Sequence, residues 1–81
     1  MNIEVLFFAS ARDLAGVAQL TVELPDGADV KALLQRLTQD RPALQPVLSS
    51  ARFARNEDFV DLAAPLRDGD QVAWLPPVSG G

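Results

Sequence analysis

The chain has 81 residues, a net charge of −4 at neutral pH, and no cysteine, histidine or tyrosine. This length allows one small domain with a single hydrophobic core. The absence of cysteine excludes disulfides and thiolate catalysis, and the absence of histidine removes the usual general base near pH 7. We therefore expect a carrier or a binding module rather than an enzyme that acts alone.

The acidic charge argues against nucleic-acid binding, because phosphate contacts require clustered lysine and arginine, and Lys31 is the only lysine. No apolar run approaches the ~20 residues of a membrane-spanning helix, and the first residues lack the basic segment of a signal peptide. We therefore expect a cytoplasmic protein that binds neither nucleic acid nor membrane. The acidity fits either simple solubility or a partner with a basic docking surface.

The first quarter of the chain indicates two strands. Residues 4–9 are rich in branched and aromatic side chains, which predicts a strand. Residues 11–14 suggest one helical turn in the connection that follows. Residues 18–24 alternate strictly between apolar and polar side chains, which is typical of a half-buried strand. The turn residues Pro25-Asp26-Gly27 end that strand.

A helix is predicted directly after this turn. Asp29 is a typical N-cap residue, and four apolar side chains then follow at the i, i+3, i+4 and i+7 spacing of one helix face. The helix should end at Arg41, because the residue before Pro42 avoids the α region. Residues 44–48 indicate a second, short helical piece. The four apolar residues of the helix are Val30, Leu33, Leu34 and Leu37.

The last third of the chain predicts three strands. Residues 52–56 and 59–62 form two short strands around a turn at Glu57 and Asp58, and residues 71–75 form the final strand. The order of elements indicates an α+β roll, in which one mixed sheet wraps over one main helix. Its first and last strands would lie side by side and parallel at the centre. This is the β-grasp arrangement of ubiquitin.

Strand alternation further predicts an exposed apolar patch on the sheet. One helix covers only one face, and Glu4 and Ser10 mark their side of the first strand as the outer one. Phe8 shares that side, as does Leu75 in the last strand, and Phe59 lies on a neighbouring segment. These three residues would form a partner-binding patch, since contiguous exposed apolar area marks interaction sites. The alternative is that loops or the second helical piece cover them as ordinary core.

The chain ends in Pro76-Pro77-Val78-Ser79-Gly80-Gly81. Two glycines without Cβ atoms form an arm thin enough to carry the Gly81 carboxylate into a narrow slot of a partner. The two prolines favour an extended exit from the last strand. We therefore predict a domain of residues 1–76 and an extended tail of residues 77–81. The alternative is a frayed and inert chain end.

Two smaller features also have ordinary explanations. Arg12, Arg52 and Arg55 are candidates for bracketing the tail, although exposed arginines are more commonly solvated. Asp68 and Asp70 could pair on a metal ion, but Asp-Gly-Asp before a strand is more commonly a turn.

Several segments of the chain, taken in sequence order, resemble the small subunit of molybdopterin synthase. The resemblance extends over essentially the whole chain. The most specific part is the last strand with its Gly-Asp start, running into Pro-Pro-Val-Ser-Gly-Gly. The resemblance implies a β-grasp sulfur carrier. The other matching segments are Leu6-Phe7-Phe8-Ala9, Arg12-Asp13, Leu24-Pro25, the helix over residues 30–37, and Asn56.

The resemblance also implies a reaction sequence. An adenylating activating enzyme would use ATP and Mg²⁺ to form an acyl-adenylate at the Gly81 carboxylate, and a sulfur-donor protein would convert it to a thiocarboxylate. The tail would then enter the large subunit and donate sulfur to cyclic pyranopterin monophosphate, within a heterotetramer. The chain itself would bind no cofactor and no metal.

The resemblance assigns roles to single residues as well. Phe8, Phe59 and Leu75 would contact both the large subunit and the activating enzyme. Arg55 departs from the small apolar residue that the family has before Asn56, which would change docking if it lay on the patch. Gly80, Ser79, Val78 and Pro77 would form the arm that carries Gly81.

Three alternatives share the fold. A related sulfur carrier could serve thiamin or cysteine synthesis or tRNA thiolation, but the Pro-Pro-Val-Ser approach and the chain length favour the molybdopterin branch. A ubiquitin-like protein modifier would use the same adenylate and join Gly81 to a lysine. A β-grasp binding module would carry an inert tail, and deleting Gly80-Gly81 would then leave its function intact.

Overall fold

Five strands and three helical segments make up the computed structural model, which describes residues 1–77. In chain order they are β1 (Asn2–Phe7), α1 (Ser10–Ala15), β2 (Gln19–Glu23), α2 (Val30–Asp40), a 3₁₀ helix (Pro42–Val47), β3 (Arg52–Arg55), β4 (Asp58–Val60) and β5 (Gln71–Leu75). In residues 1–77, no helix is long and apolar enough to cross a membrane.

The five strands form one mixed sheet in the order β2-β1-β5-β3-β4. The central pair, β1 and β5, is parallel, with Val5 beside Val72 and Phe7 beside Trp74. The other three pairs are antiparallel. The α+β prediction of a β-grasp roll with parallel first and last strands is therefore confirmed.

The core lies between one face of the sheet and α2. Trp74 stands at its centre, with 1% of its surface exposed. The Phe53 ring meets it edge-on at a centroid distance of 5.0 Å, and the Phe7 ring lies 6.1 Å away. Edge-to-face aromatic pairs add roughly 0.5–1.5 kcal/mol beyond the area they bury. This packing fixes β5, the strand from which the tail leaves.

The helix α2 begins and ends as its sequence predicts. The Asp29 side chain accepts a hydrogen bond of 2.9 Å from the Ala32 N–H, and so caps the first turn. Arg41 is the C-cap residue, and the 3₁₀ helix starts at the following proline. Leu44 of that helix is fully buried in the core. The 3₁₀ helix therefore packs on the α2 side and leaves the opposite face of the sheet uncovered.

Several boundaries differ from the prediction by one or two residues, and positive φ angles explain two of these differences. β1 ends at Phe7 rather than residue 9, because Ala9 turns to a φ of 51° and α1 begins at once. The β3–β4 hairpin turns one residue earlier than expected, at Asn56 and Glu57, with φ values of 49° and 76°. Two consecutive positive φ angles are typical of a type I′ turn, whose twist matches that of the flanking strands.

The candidate tail residues Val78, Ser79, Gly80 and Gly81 lie outside the described residues. The predicted boundary between a domain of residues 1–76 and a tail of residues 77–81 therefore stays a prediction.

Candidate functional site

One row of side chains crosses the outer face of the whole sheet, on the side away from α2. Side chains directly opposite each other on paired strands share a face, and the core-facing neighbours of this row are Val5 and Val72. The two alanines of the row leave a shallow floor between larger side chains. The row consists of Gln19, Leu6, Ala73, Ala54 and Phe59.

A second row lies closer to the tail. Leu75, at the end of β5, stands opposite Arg52 of β3. The Phe8 N–H donates a hydrogen bond of 3.2 Å to the Trp74 carbonyl, which holds Phe8 beside the end of β5. Phe8 is 44% exposed and Phe59 is 67% exposed, whereas Leu75 is half-buried. The structure thus places the three residues that the sequence singled out on the same face of the sheet.

We call this apolar surface the outer patch. The 3₁₀ helix lies on the other side of the sheet, so it does not cover the patch. A small domain rarely exposes contiguous apolar area without a binding role. That Phe8, Phe59 and Leu75 bind partners stays a prediction. The outer patch consists of Leu6, Phe8, Ala54, Phe59, Ala73 and Leu75.

Arg52 is the arginine that lies at the base of the tail. Its guanidinium carbon stands 5.9 Å from the centroid of the Phe59 ring, within the range of a cation–π interaction. Its neighbour in the register is Leu75, so the Arg52 backbone lies beside the end of the last strand, while its guanidinium lies over the Phe59 ring of β4. Strand alternation could have indicated this position, since Arg52 and Ala54 share a face.

Arg55, another candidate for bracketing the tail, does not lie at the base of the tail. Arg55 pairs with Val72, one strand position from the start of β5, and its side chain donates a hydrogen bond of 2.5 Å to the Pro65 carbonyl. Val72 faces the core, so Arg55 belongs to the α2 side of the sheet and not to the outer patch. Its departure from the family pattern therefore does not alter the patch. Arg12 lies exposed on α1.

A polar clasp at the other end of β5 was not predicted from the sequence. The Asn56 side-chain amide donates to the Asp70 carboxylate at 2.9 Å, and its carbonyl oxygen accepts the Gln71 N–H at 2.9 Å. The second carboxylate oxygen of Asp70 accepts the Arg67 N–H at 2.8 Å. The clasp ties the β3–β4 turn to the start of the strand that carries the tail. Its sequence signals are an asparagine at a turn position and an Asp-Gly-Asp segment that ends fourteen residues later.

Electrostatics in the clasp favour the ionised form of Asp70. Desolvation by burial acts to raise the pKa of this carboxyl group. The hydrogen bonds from Asn56 and from the Arg67 N–H, with the charges of Arg55 and Arg67, outweigh that effect and lower the pKa below its ordinary value. Asp68 is also engaged, because it accepts the Asn2 N–H at 2.7 Å. Both carboxylates thus act as turn residues, and within residues 1–77 no group of three or more acidic residues gathers to hold a metal ion.

The base of the tail is set by two prolines. β5 ends at Leu75, Pro76 is half-buried, and Pro77 is exposed. Neither proline has an N–H to continue the sheet. A chain with no histidine and no cysteine can present a terminal carboxylate but has no side chain suited to activating it.

These features define a class of protein: a small β-grasp domain with an apolar outer face beside the strand that carries its C-terminus. Residues 5–81 match the family model of that class described as the ThiS family. The chain belongs to the ThiS family.

Its relatives agree with the resemblance noted in the sequence. The molybdopterin synthase sulfur carrier subunit of Chlamydomonas reinhardtii is 46% identical over 84 residues, covering 100% of both chains. Small archaeal modifier protein 1 of Haloferax volcanii has a similar structure, with a TM-score of 0.89 at 29% identity over 100% of both chains. A chain in the complex of subunits 1 and 2 of molybdopterin-converting factor from Helicobacter pylori also matches, with a TM-score of 0.73 at 32% identity over 100% of both chains.

Proposed function

We propose that this chain is the sulfur-carrier subunit of a molybdopterin synthase. The observation that carries the proposal is the full-length identity of 46% to a subunit of that name. The outer patch supports it, because a carrier without acid–base side chains has to dock on the proteins that load and unload it. The chain ends in Gly80-Gly81, which supplies the carboxylate to be loaded.

The loading chemistry begins at the Gly81 carboxylate. A carboxylate is a poor electrophile, so it attacks the α-phosphorus of ATP to form an acyl-adenylate and release pyrophosphate. The terminal sulfur of a donor persulfide then attacks the acyl carbon, and AMP leaves with the bonding electron pair. A thiol reduces the resulting acyl disulfide, which gives the thiocarboxylate and a new disulfide. The activating enzyme supplies ATP and Mg²⁺, and the carrier binds neither.

Delivery takes place in the large subunit. The thiocarboxylate sulfur attacks an oxygen-bearing carbon of the cyclic pyranopterin monophosphate precursor, and the oxygen substituent leaves with the bonding electron pair. Water then hydrolyses the acyl–sulfur bond, which leaves the sulfur on the product and returns Gly81 as a carboxylate. The related complex from Helicobacter pylori pairs subunit 1 with subunit 2, which supports a large subunit as the partner. The heterotetrameric assembly, the activating enzyme, the sulfur-donor protein and the cytoplasmic location are parts of this proposal.

A single outer patch implies successive docking. The activating enzyme and the large subunit would both use Phe8, Phe59 and Leu75, so the carrier must leave one to reach the other. Patch binding therefore has to be reversible, and an interface of moderate area with a few aromatic and aliphatic anchors fits that need.

Protein modification is the second candidate. It is favoured by the structural similarity to small archaeal modifier protein 1, with its TM-score of 0.89. In that case a lysine amine attacks the same acyl-adenylate, AMP leaves, and an isopeptide bond forms at Gly81. The two functions diverge only at the nucleophile, so they share every feature of the fold.

The test is an intact mass of the purified chain after incubation with ATP, an activating enzyme and inorganic sulfide. We expect a mass gain equal to the replacement of one oxygen by sulfur. A variant lacking Gly81 is the control and should show no gain. Unchanged mass of the wild-type chain would contradict the carrier function. Covalent adducts to lysine that survive denaturation, without any thiocarboxylate, would support the modifier instead.

A further inference from the structure

A second surface lies on the other side of the sheet from the outer patch. An open groove of ≈ 850 Å³ runs between α2 and the β3–β4 hairpin, and we call it the lateral groove. Leu34 of α2 and Phe53 of β3 line its floor, and both are buried core residues. Leu48, after the 3₁₀ helix, and Val60 of β4 complete the apolar lining. The groove is large enough to hold several side chains of a partner.

The rim of the lateral groove carries unusually exposed apolar side chains. Phe59 is 67% exposed and Leu62 is 49% exposed, and they are the two most exposed large apolar residues of residues 1–77. Phe59 stands at the edge of the sheet, so it borders both the groove and the outer patch. The centre of a protein–protein interface is typically formed by apolar side chains, and this groove exposes such side chains above an apolar floor.

One wall of the groove is a strand with a free edge. Within the described chain, β4 pairs only with β3. The two-residue turn makes Arg55 and Asp58 a hydrogen-bonded pair, so that Ala54 and Phe59 form the next, non-hydrogen-bonded pair. The N–H and C=O of Phe59 therefore point away from β3, toward an open edge. An extended peptide could pair with them as an added strand.

The charge of the groove differs from that of the chain. Lys31 and Arg52 line it, and Asp61 is the only acidic residue in its lining. A chain with a net charge of −4 thus places two cations around this apolar surface. An apolar segment that carries acidic side chains is the complementary partner.

The groove also reaches the base of the tail. Arg52 lines the groove and stands opposite Leu75, the last residue of β5. From Leu75 to Gly81 a fully extended chain spans at most ~20 Å. A protein bound in the lateral groove therefore lies beside the end of β5, from which the tail starts.

We propose that the lateral groove docks the persulfide-bearing sulfur-donor protein, through an extended apolar and acidic segment that adds to β4. This inference rests on the proposed carrier function. The activating enzyme occupies the outer patch while the acyl-adenylate exists, and free adenylate would be lost to water. A second surface lets the donor reach the adenylate before the activating enzyme departs.

The test compares two sulfur sources in the same loading reaction. The carrier is incubated with ATP and the activating enzyme, and sulfur comes either from a persulfide-bearing sulfurtransferase that loads the wild-type chain or from inorganic sulfide. The variant is Lys31→Glu. Lys31 lies in the first turn of α2, where an acidic side chain favours the helix, so this change preserves the fold. Arg36→Glu on the same helix is the matched control, because Arg36 does not line the groove.

We expect Lys31→Glu to slow thiocarboxylate formation at least tenfold with the sulfurtransferase and to leave the rate with sulfide unchanged. Leu62→Asp should behave in the same way, with Leu14→Asp as its control, since Leu14 is an exposed leucine on α1. Wild-type rates for both groove variants with the sulfurtransferase would overturn the inference. Failure of the wild-type chain to load with sulfide would instead contradict the proposed function.

Discussion

Arg52 and Leu75 are opposite each other where β3 meets the end of β5, and this pair lies where the outer patch, the lateral groove and the base of the tail meet. Leu75 belongs to the outer patch and begins the path to the tail. Arg52 lies 5.9 Å from the Phe59 ring and lines the lateral groove. The cation–π contact between Arg52 and Phe59 therefore lies on the strand next to the end of β5, from which the tail starts.

The first prediction concerns the outer patch. Phe8→Asp and Leu75→Asp should each weaken binding to the large subunit at least tenfold, because a buried carboxylate replaces an apolar anchor at the centre of the interface. A tenfold change corresponds to about 1.4 kcal/mol of binding free energy. Calorimetric titration measures it, with Leu14→Asp as a charge-matched control on α1. Wild-type affinity for both patch variants would show that the large subunit docks elsewhere.

The second prediction concerns the chain end. Gly81→Ala, or one residue added after Gly81, should abolish sulfur transfer, because the first adds a Cβ in a narrow slot and the second misplaces the carboxylate. The buried core residues that the structure describes lie between Ile3 and Trp74, so the thermal unfolding midpoint should stay at the wild-type value. Intact mass and a molybdopterin synthesis assay follow the chemistry. Normal cofactor synthesis by either variant would refute the role of Gly81.

The architecture could be predicted from the sequence because its strands and main helix carry strong local signals. The apolar spacing from Val30 to Leu37 and the N-cap at Asp29 gave the correct helix. The Gln71–Leu75 strand matched at both ends. Alternation also assigned Phe8 and Leu75 to the outer face, since a period of two fixes which side chains share a face.

The features that were missed depend on which residues pair or pack together, and the sequence of a single segment does not decide this. The turn at Asn56 was placed one residue late, because both Asn56-Glu57 and Glu57-Asp58 are plausible turn pairs and only the pairing of Arg55 with Asp58 decides. The clasp between Asn56 and Asp70 joins residues fourteen positions apart. Likewise, the lateral groove forms only when α2 and the hairpin pack together, so the sequence of neither segment predicts it.

The third prediction concerns the aromatic cluster in the core. Trp74→Ala should lower the free energy of unfolding by ~3–5 kcal/mol, since it removes a buried aromatic side chain and leaves a cavity beside Phe53 and Phe7. A domain of this length has a total stability of only ~4–12 kcal/mol, so the variant should be close to unfolded at 37 °C. Trp74→Phe is the matched comparison and should cost less, because it keeps an aromatic ring. Urea denaturation measures both, and equal stability of the two variants would contradict the packing described.

The last prediction concerns acid stability and follows from the lowered pKa of Asp70. The carboxyl group of Asp70 has a lower pKa in the folded state than in the unfolded state, so folding favours its ionised form. The ionised carboxylate therefore stabilises the fold at pH values above the unfolded pKa of about 3.9. That contribution is lost as the pH falls through the lower, folded pKa. Asp70→Asn keeps the shape of the side chain and removes its charge, so its stability should fall less steeply in this acid range.

Urea denaturation from pH ~2 to pH ~7 tests this expectation, because this range extends on both sides of the ordinary aspartate pKa. Near neutral pH the variant should be less stable than the wild-type chain, and the two stabilities should converge at the acid end. Asp58→Asn is the control, because Asp58 is an exposed carboxylate of the same hairpin outside the clasp. A constant difference between wild type and Asp70→Asn across the whole range would mean that the clasp stabilises β5 through shape and neutral hydrogen bonds, and not through the charge of Asp70.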